Sequence, residues 1–565
     1  MFLAGPIDHP FGSPLRQLTL DPNCVTFGPY GQHRTTPLER FPELLASIPE
    51  KEKIDWMLFL NPEYNLIPKG IEEAPFPVVA VTGDWSLNLE AVLQAAPFFS
   101  SIIVDYPGSL IFKKFGVEHL TYSPLYGYDP EVHRKLPNLG KVYDISMSAN
   151  LNEAIYNERM VYLKRLAMMG GKYRIRFSSG LTKPEYVQLI NESKIAFNRS
   201  VRGEMNLRAY ETLACGSLLF IEDENEEAKL YLKDRVDCVF YNEENLESLV
   251  DYYLSHDEER EAIAARGFSI GQRFTYENQY RGILEKARPL RKPPEAASWS
   301  AEDKASRLIF HAFHSGQPTR FDYIAELLPA LHEEPAASFL RGFHALERSL
   351  TQSEQATEAV SWLEKSVRTA PDWASAHFNL GEAYHRSGNP AAGDKSLDMA
   401  LKLACDAETS RPFSSLLFPV SNDRWRLDKE AALRKGTLRL SEMIQFRCLD
   451  AQGYFWAAQG NADKAIECYR KAGMFGWNLG SLYERIGRMA KEMTHLSDAA
   501  RWYEMALKER PFLLSVWKEL PPLYLELKAF DRLQRFSDET LKVVDAFPHL
   551  SELREEFESW LSILG

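Results

Sequence analysis

Arg199, Arg202, Glu204, Arg208 and Glu211 fall within one short stretch, Lys194 to Glu224, which reads KIAFNRSVRGEMNLRAYETLACGSLLFIEDE. Guanidinium groups in a polar loop suit a phosphate, because the planar fork reaches two phosphate oxygens at once. They also suit a departing diphosphate. Where no metal does the work, its growing charge must be stabilised by cations and a helix N-terminus. Glu211 is wrong for phosphate, but its two oxygens accept hydrogen bonds from sugar hydroxyls. Glu204 either reaches the same ligand or caps the helix that follows. The plainer reading pairs each arginine with an acid of the same loop, such as Glu204 or Glu224, and leaves the loop facing water.

These side chains need elements to position them. The pattern predicts a strand over Lys194 to Asn198, a loop over Arg199 to Asn206, and a helix over Leu207 to Cys215 ended by Gly216. A second strand follows over Leu218 to Ile221. This order suits a ligand at the carboxyl end of a parallel sheet, beside free N–H groups at a helix N-terminus. An earlier junction has the same form. A strand over Val142 to Met147 leads through Ser148, Ala149 and Asn150 to a helix over Asn157 to Met168. Ser148 and Asn150 could meet a diphosphate through backbone N–H groups, or belong to an ordinary polar loop. There is no GxGxxG, so a dinucleotide site is not expected.

Group transfer with inversion needs a base near the acceptor hydroxyl. Asp84 is the first candidate. It follows a predicted strand, Val78 to Thr82, between Gly83 and Trp85. Asp105, at the end of the strand SIIVD, is second and His119 third. Trp85 could stack on a sugar or a base. A lone Asp after a strand is also a common helix cap or turn residue. No DxD, HExxH or cluster at metal spacing occurs. The run Glu222 to Glu224 is expected to be solvated, since adjacent acids alternate direction on an extended chain. Neither a metal nor a tightly bound cofactor is expected.

The chain has 565 residues, which points to roughly two to four domains. Hydrophobic residues make up 45% and charged ones 26%, ordinary for a soluble protein. A formal net charge of −13 disfavours nucleic acid as a partner. Six scattered cysteines without a CxxC pair point to a reducing compartment. No signal peptide and no spanning segment are expected, so the expected location is cytoplasmic.

Met1 to Glu50 has little periodicity and could be an ordered extension or a flexible arm. Strands over Ile54 to Asn61, Val78 to Thr82 and Ser101 to Asp105 alternate with helical segments, which implies a parallel sheet. A Tyr-Pro-Gly turn is expected after Asp105. A helix over Tyr276 to Ala287 is followed by a Pro-rich linker, Arg288 to Ser300. Beyond it the chain repeats with a period of 34 residues. Gly453, Ala465 and Ala472 recur at Gly487, Ala499 and Ala506, the small positions of helix pairs that approach closely. Ser410 to Phe446 breaks the period, and the last helices, ending at Leu564, are expected to cap the array.

The run Asn206, Leu207, Arg208, Tyr210, Glu211, Ala214, Cys215, Gly216 resembles the CgeB-like branch of glycosyltransferases with the GT-B fold. The resemblance is dense over Glu192 to Glu285. It implies two Rossmann-like domains and a nucleoside-diphosphate sugar as donor, with UDP or GDP as the nucleotide. It implies that Glu211 holds the ribose. Glu204 lies one position short of the spacing that paired glutamates keep in many retaining relatives.

The fold expected is therefore α/β, two Rossmann-like domains followed by an all-α solenoid of tetratricopeptide type. Residues 1–140 form the acceptor-side domain, 141–290 the nucleotide-sugar domain, 291–300 a linker and 301–565 the solenoid. The function expected is sugar transfer to Ser or Thr of a protein, or to a surface glycan. Asp84, Glu204 and His119 are the catalytic candidates. Arg199, Arg202, Arg208, Glu211, Ser148 and Asn150 are the donor contacts, and Trp85 and Asn379 the acceptor contacts. The solenoid could also hold a protein partner or form a homodimer. The alternative is a non-catalytic scaffold that carries a degenerate transferase domain.

Overall fold

The computed structural model describes residues 1–7, 14–36, 38–49, 51–287, 294–332, 335–406 and 425–563. The first sheet contains β1 (Phe2–Gly5), β2 (Cys24–Thr26), β3 (Trp56–Leu60), β4 (Val78–Thr82), β5 (Ser101–Val104) and β6 (Leu120–Tyr122). All pair in parallel, in the order β2-β1-β3-β4-β5-β6. Every residue of β3, β4 and β5 is buried, as a parallel sheet covered on both faces requires.

Two expectations change here. The amino-terminal stretch supplies β1, which lies inside the sheet between β2 and β3, and is not an extension. Its run FLAG is too short to show a period, and pairing on both sides makes it a strand. The Tyr-Pro-Gly sequence opens a helix, Tyr106–Lys114, instead of a turn. Asp105 caps it, with Oδ1 accepting from Gly108 N at 2.8 Å, and Pro107 stands in the first turn where its missing N–H is no loss.

The second sheet contains β7 (Tyr143–Ser148), β8 (Ile175–Ser178), β9 (Ser193–Phe197), β10 (Leu218–Glu222) and β11 (Val239–Tyr241). Its order is β11-β10-β9-β7-β8, again all parallel. Two such sheets are typical of GT-B architecture. The strand order reverses between β7 and β9, which opens a crevice outside their carboxyl ends. The helix Tyr276–Ala287 returns to the first domain. There Tyr280 Oη donates to Asp21 at 2.9 Å, and Ile283 packs with Phe2, Ala4 and Leu18.

The remainder is helical. Helices pair as Ala336–Arg348 with Gln355–Thr369, Ala374–Arg386 with Pro390–Asp406, Leu440–Ala458 with Ala462–Gly473, and Leu479–Glu492 with Leu496–Glu509. Leu514–Glu526 pairs with Phe530–Ala546. The small positions are where the pairs close. A Cβ at Gly453 would lie 2.5 Å from the Tyr469 ring, and one at Gly487 would lie 2.7 Å from the Tyr503 ring. These contacts repeat the 34-residue spacing. Residues 407–424, which hold the first part of the expected break in the period, lie outside the described residues, as do 288–293 of the expected linker and Leu564; the rest of the break forms the helix Trp425–Lys435 and the start of Leu440–Ala458. Where the linker is described it is packed. Ala296 is buried, and Trp299 meets Phe98 edge to face at 6.2 Å.

The solenoid shares its core with both sheets. Leu308, Phe313, Phe339 and Trp373 belong to one apolar cluster with Met57, Ala80 and Ile102 of the first sheet. Tyr503, Trp517 and Phe547 belong to another with Ile145, Phe177 and Phe220 of the second.

Candidate functional site

The crevice between β7 and β9 is bridged by Arg208. The helix Leu207–Cys215 carries it, capped by Asn206, whose side chain accepts from Ala209 N at 3.4 Å. Glu204 is therefore not the cap. Gly216 closes the helix at φ 75°, the left-handed conformation that glycine adopts without strain. Arg208 Nε donates to Ser148 O at the end of β7 (2.9 Å), and its Nη1 donates to Asn198 Oδ1 just past β9 (2.6 Å). Among the described residues it pairs with no carboxylate. Asn198 is buried, and its Nδ2 has no partner there.

Arg159 reaches the same place from the helix Glu153–Ala167. Its guanidinium donates to Asn150 O at 3.2 Å and to Arg199 O at 3.2 and 3.3 Å. It too lacks an acidic partner among the described residues. Burial, then the nearby Arg208 charge, push its pKa down to about 10. Arg159 was not a sequence candidate, because the carbonyls that hold it come from two distant loops. Asn150 itself is exposed, and its Oδ1 accepts from Asn152 N at 3.0 Å.

The other two arginines are neutralised. Arg199 pairs with Glu224 at 2.6 Å and lies over the Tyr162 ring. Arg202 crosses to the first domain. Its Nε donates to Asp105 Oδ2 at 3.0 Å, its Nη2 donates to Gly83 O, and its Nη1 lies 3.5 Å from Asp84 and 3.8 Å from Glu204. Glu204 also accepts from Arg202 N at 3.0 Å. This cluster ties the two domains across the cleft. The acidic run after β10 is not simply solvated. Glu222 is buried and holds Ser200 N at 3.0 Å, the Ser200 hydroxyl, and Asn225 Nδ2 at 2.8 Å. It anchors the loop that carries Arg199 to Glu204.

Glu211 has both oxygens engaged. His133 Nε2 is 3.3 Å from Oε1, and Tyr186 Oη donates to Oε2 at 2.6 Å. A carboxylate has about four acceptor sites, so capacity for a ligand hydroxyl remains. Burial, then the Glu211 charge, hold the Tyr186 phenol well above its usual pKa, so it stays a donor. Neither His133 nor Tyr186 was a sequence candidate.

In the first domain Asp84 keeps a half-exposed carboxylate at the carboxyl end of β4, receiving Tyr64 Oη at 3.1 Å. Asp105 is wholly buried and fully used, by Gly108 N, Trp85 Nε1 (2.9 Å) and Arg202. Glu63, which sequence did not single out, is buried behind Asp84. Its Oε1 accepts from Gly83 N and Asp84 N, and burial pushes its pKa up to about 7.

Three expected contacts lie elsewhere. Trp85 is fully buried against Phe112, so its ring has no face for a sugar. His119 precedes β6 at the amino-terminal edge of the sheet, where its ring meets Ala96 O at 3.1 Å, so it is remote from the carboxyl-edge cleft. Asn379 is buried within its own helix pair, with Nδ2 donating to Ser375 O at 2.9 Å, and faces no peptide groove. No group of three or more metal-ligating side chains occurs among the described residues, and no helix there is long and apolar enough to cross a membrane.

A family profile described as "Glycosyl transferase-like" matches residues 149–285, which span β8 to β11 and the helix Leu207–Cys215. The match covers less than half of the chain. No curated protein matches. Among solved structures, HepE of Anabaena in complex with UDP-glucose is similar at 13% identity and TM-score 0.36, covering 50% of this chain and 98% of that one. Sucrose-phosphate synthase of Thermosynechococcus elongatus is similar at 11% and 0.37, covering 50% and 96%. The pneumococcal O-GlcNAc transferase GtfA is similar at 12% and 0.31, covering 42% of this chain, which spans only 57% of that protein. Likeness at these values carries no substrate across.

Proposed function

We propose that this protein is a glycosyltransferase that takes its sugar from a nucleoside diphosphate. The observation that carries the reading is the pair of guanidinium groups, Arg208 and Arg159, without acidic partners among the described residues. They stand at the β7/β9 crevice, within the segment matched by the transferase profile. Buried cations without counter-charge are costly unless an anion completes them. In this reading residues 141–290 hold the donor, with Ser148 and Asn150 at the diphosphate and Glu211 at the ribose. Residues 1–140 offer the acceptor, with Asp84 as its base. Glu204 steadies the loop through Arg202. The acceptor is a protein hydroxyl or a surface glycan, and UDP or GDP is the nucleotide. The run from Asn206 to Gly216 supports the CgeB-like branch, and the 34-residue spacing supports a solenoid of tetratricopeptide type. The free thiols of Cys24, Cys215, Cys238, Cys448 and Cys468 support a reducing, cytoplasmic setting.

The test is a calorimetric titration with UDP, GDP, CDP and dTDP, with and without Mg²⁺, on the native chain and Arg208→Ala. Binding of one nucleotide is expected, weakened at least ten-fold in the variant. Silence from all four, in folded protein, would overturn the reading. The scaffold alternative predicts the opposite outcome, no binding. That silence, with partner capture lost on disrupting the solenoid, would establish it.

A further inference from the structure

The helix Trp425–Lys435 belongs to the solenoid by sequence but lies against the two-domain cleft. It packs on the turn Trp85–Leu87 beside Asp84. Lys429 Nζ pairs with Glu90 at 2.8 Å, and Glu430 Oε2 accepts from Leu89 N at 3.2 Å. Both Lys429 and Glu90 are nearly inaccessible to solvent, so the seat on the first domain is specific.

The small cavity at the domain junction has three walls. The first domain contributes Ser86 and Leu87. The second contributes Tyr156, Glu158, Arg159 and Ser200. The solenoid contributes Leu427, Ala431 and Arg434. Arg434 Nε is buried and has no hydrogen-bond partner among the described residues, and no ion pair to its guanidinium occurs there. The acids that act on it, Glu158, Glu430 and Glu204, do so at a distance, and Arg202 repels it. Glu204 and Glu430 are already engaged, with Arg202 and with Leu89 N. Across the cavity stands Arg159, whose three hydrogen bonds among the described residues go to main-chain carbonyls and leave two of its five N–H donors for a ligand. Two guanidinium groups from different units thus line one space together with a single carboxylate, the exposed Glu158, which forms an ion pair with neither of them among the described residues. The cavity measures about 50 Å³, and by the scale at which a single water needs about 10–15 Å³ it suits several waters or a phosphate group.

We propose that the solenoid is a third wall of the binding cleft, and that Arg434 binds a phosphate group there together with Arg159. The inference rests on the donor reading above if the phosphate is the donor's diphosphate. A phosphate from another source would use the same chemistry. Arg434 would hold its ligand bidentately, which couples the solenoid's seat to occupancy of the cleft.

The experiment is titration of the full chain with UDP, GDP, uridine, guanosine and inorganic pyrophosphate. It compares the native protein with Arg434→Met, Arg434→Lys and the neighbouring exposed control Lys435→Ala, all checked by thermal melting. Arg434→Met keeps the bulk of the side chain, and Arg434→Lys keeps its charge. Expected is a loss of at least ten-fold for the preferred nucleoside diphosphate in Arg434→Met, a smaller loss in Arg434→Lys, and none in Lys435→Ala. Binding of the parent nucleoside should not change. Nucleotide binding that survives Arg434→Met would overturn this inference alone, because Arg208→Ala still reads the donor site. Equal loss of the nucleoside would also overturn it, by showing a displaced helix instead of a lost phosphate contact. Pyrophosphate binding lost in Arg434→Met, with no nucleotide bound by the native chain, would uphold the phosphate site and sink the donor reading. Silence from both probes in the native chain would overturn both.

Discussion

Arg202 and Arg208 stand in one loop–helix segment, yet they do different work. Arg202 faces Asp105, Asp84 and Glu204, and its side chain is almost wholly buried. Removing it would leave Asp105 and Glu204 buried without their cation, a change that costs about 3–5 kcal/mol. Arg202→Ala should therefore lower the urea midpoint sharply. An unchanged midpoint would show that solvent already screens the cluster. Arg199→Ala removes a cation whose partner, Glu224, is largely exposed, so it should cost little and leave nucleotide affinity within about two-fold. Sequence placed all three arginines at a ligand because type and spacing are visible in a chain. Which of them is neutralised depends on acids far away in sequence, and that is not.

At the scale of elements, the helix pairs close on glycine. Gly453 and Gly487 occupy matching positions, each under the ring of a tyrosine in the partner helix. Alanine is the better helix former by about 1 kcal/mol. Its Cβ at Gly453, however, would stand 2.5 Å from Tyr469, and overpacking of this kind costs about 1–3 kcal/mol. Gly453→Ala should thus be destabilising in a denaturant titration, whereas a gain would mean that the pair can spread. The period of 34 was readable because small residues recur. The strand β1 was not, because four residues cannot display a period and their partners lie far along the chain.

At the scale of the molecule, the solenoid is fastened to both domains. Its first helix, Ala301–His314, places His311 in contact with Pro62 O at 2.6 Å, and burial pushes the imidazole pKa down from 6.5 to about 4. The folded state therefore binds this proton less readily than the unfolded chain. The contribution is full above pH 6.5 and is lost as pH falls toward 4, reaching about 2 kcal/mol by pH 5. Glu63, raised to about 7, acts in the opposite sense, contributing fully below 4.5 and losing that contribution as pH rises through 7. His311→Gln isolates the first effect. The stability gap between native chain and variant, from urea midpoints, should shift toward the variant by about 2 kcal/mol between pH 7.5 and pH 5. A constant gap would mean that His311 titrates normally. A chain ending at Ala287 should expose the apolar surface that Leu308, Phe313 and Trp373 now cover, and aggregate or bind a hydrophobic dye. A soluble, cooperatively folding fragment would show that the shared core is dispensable.

What was legible in the chain is local: the strands and helices of the second domain, the Asn206 to Gly216 segment with Arg208 and Glu211, the crossing helix Tyr276–Ala287 and the repeat. Each is written in neighbouring residues through apolar period, capping and glycine placement. Folding alone reveals which charges are cancelled, that Trp85 and Asn379 are core, that His119 lies at the wrong edge of its sheet, and that a solenoid helix brings Arg434 to the cleft. Burial and ion pairing depend on what arrives from elsewhere in the chain, and no short stretch of sequence records that.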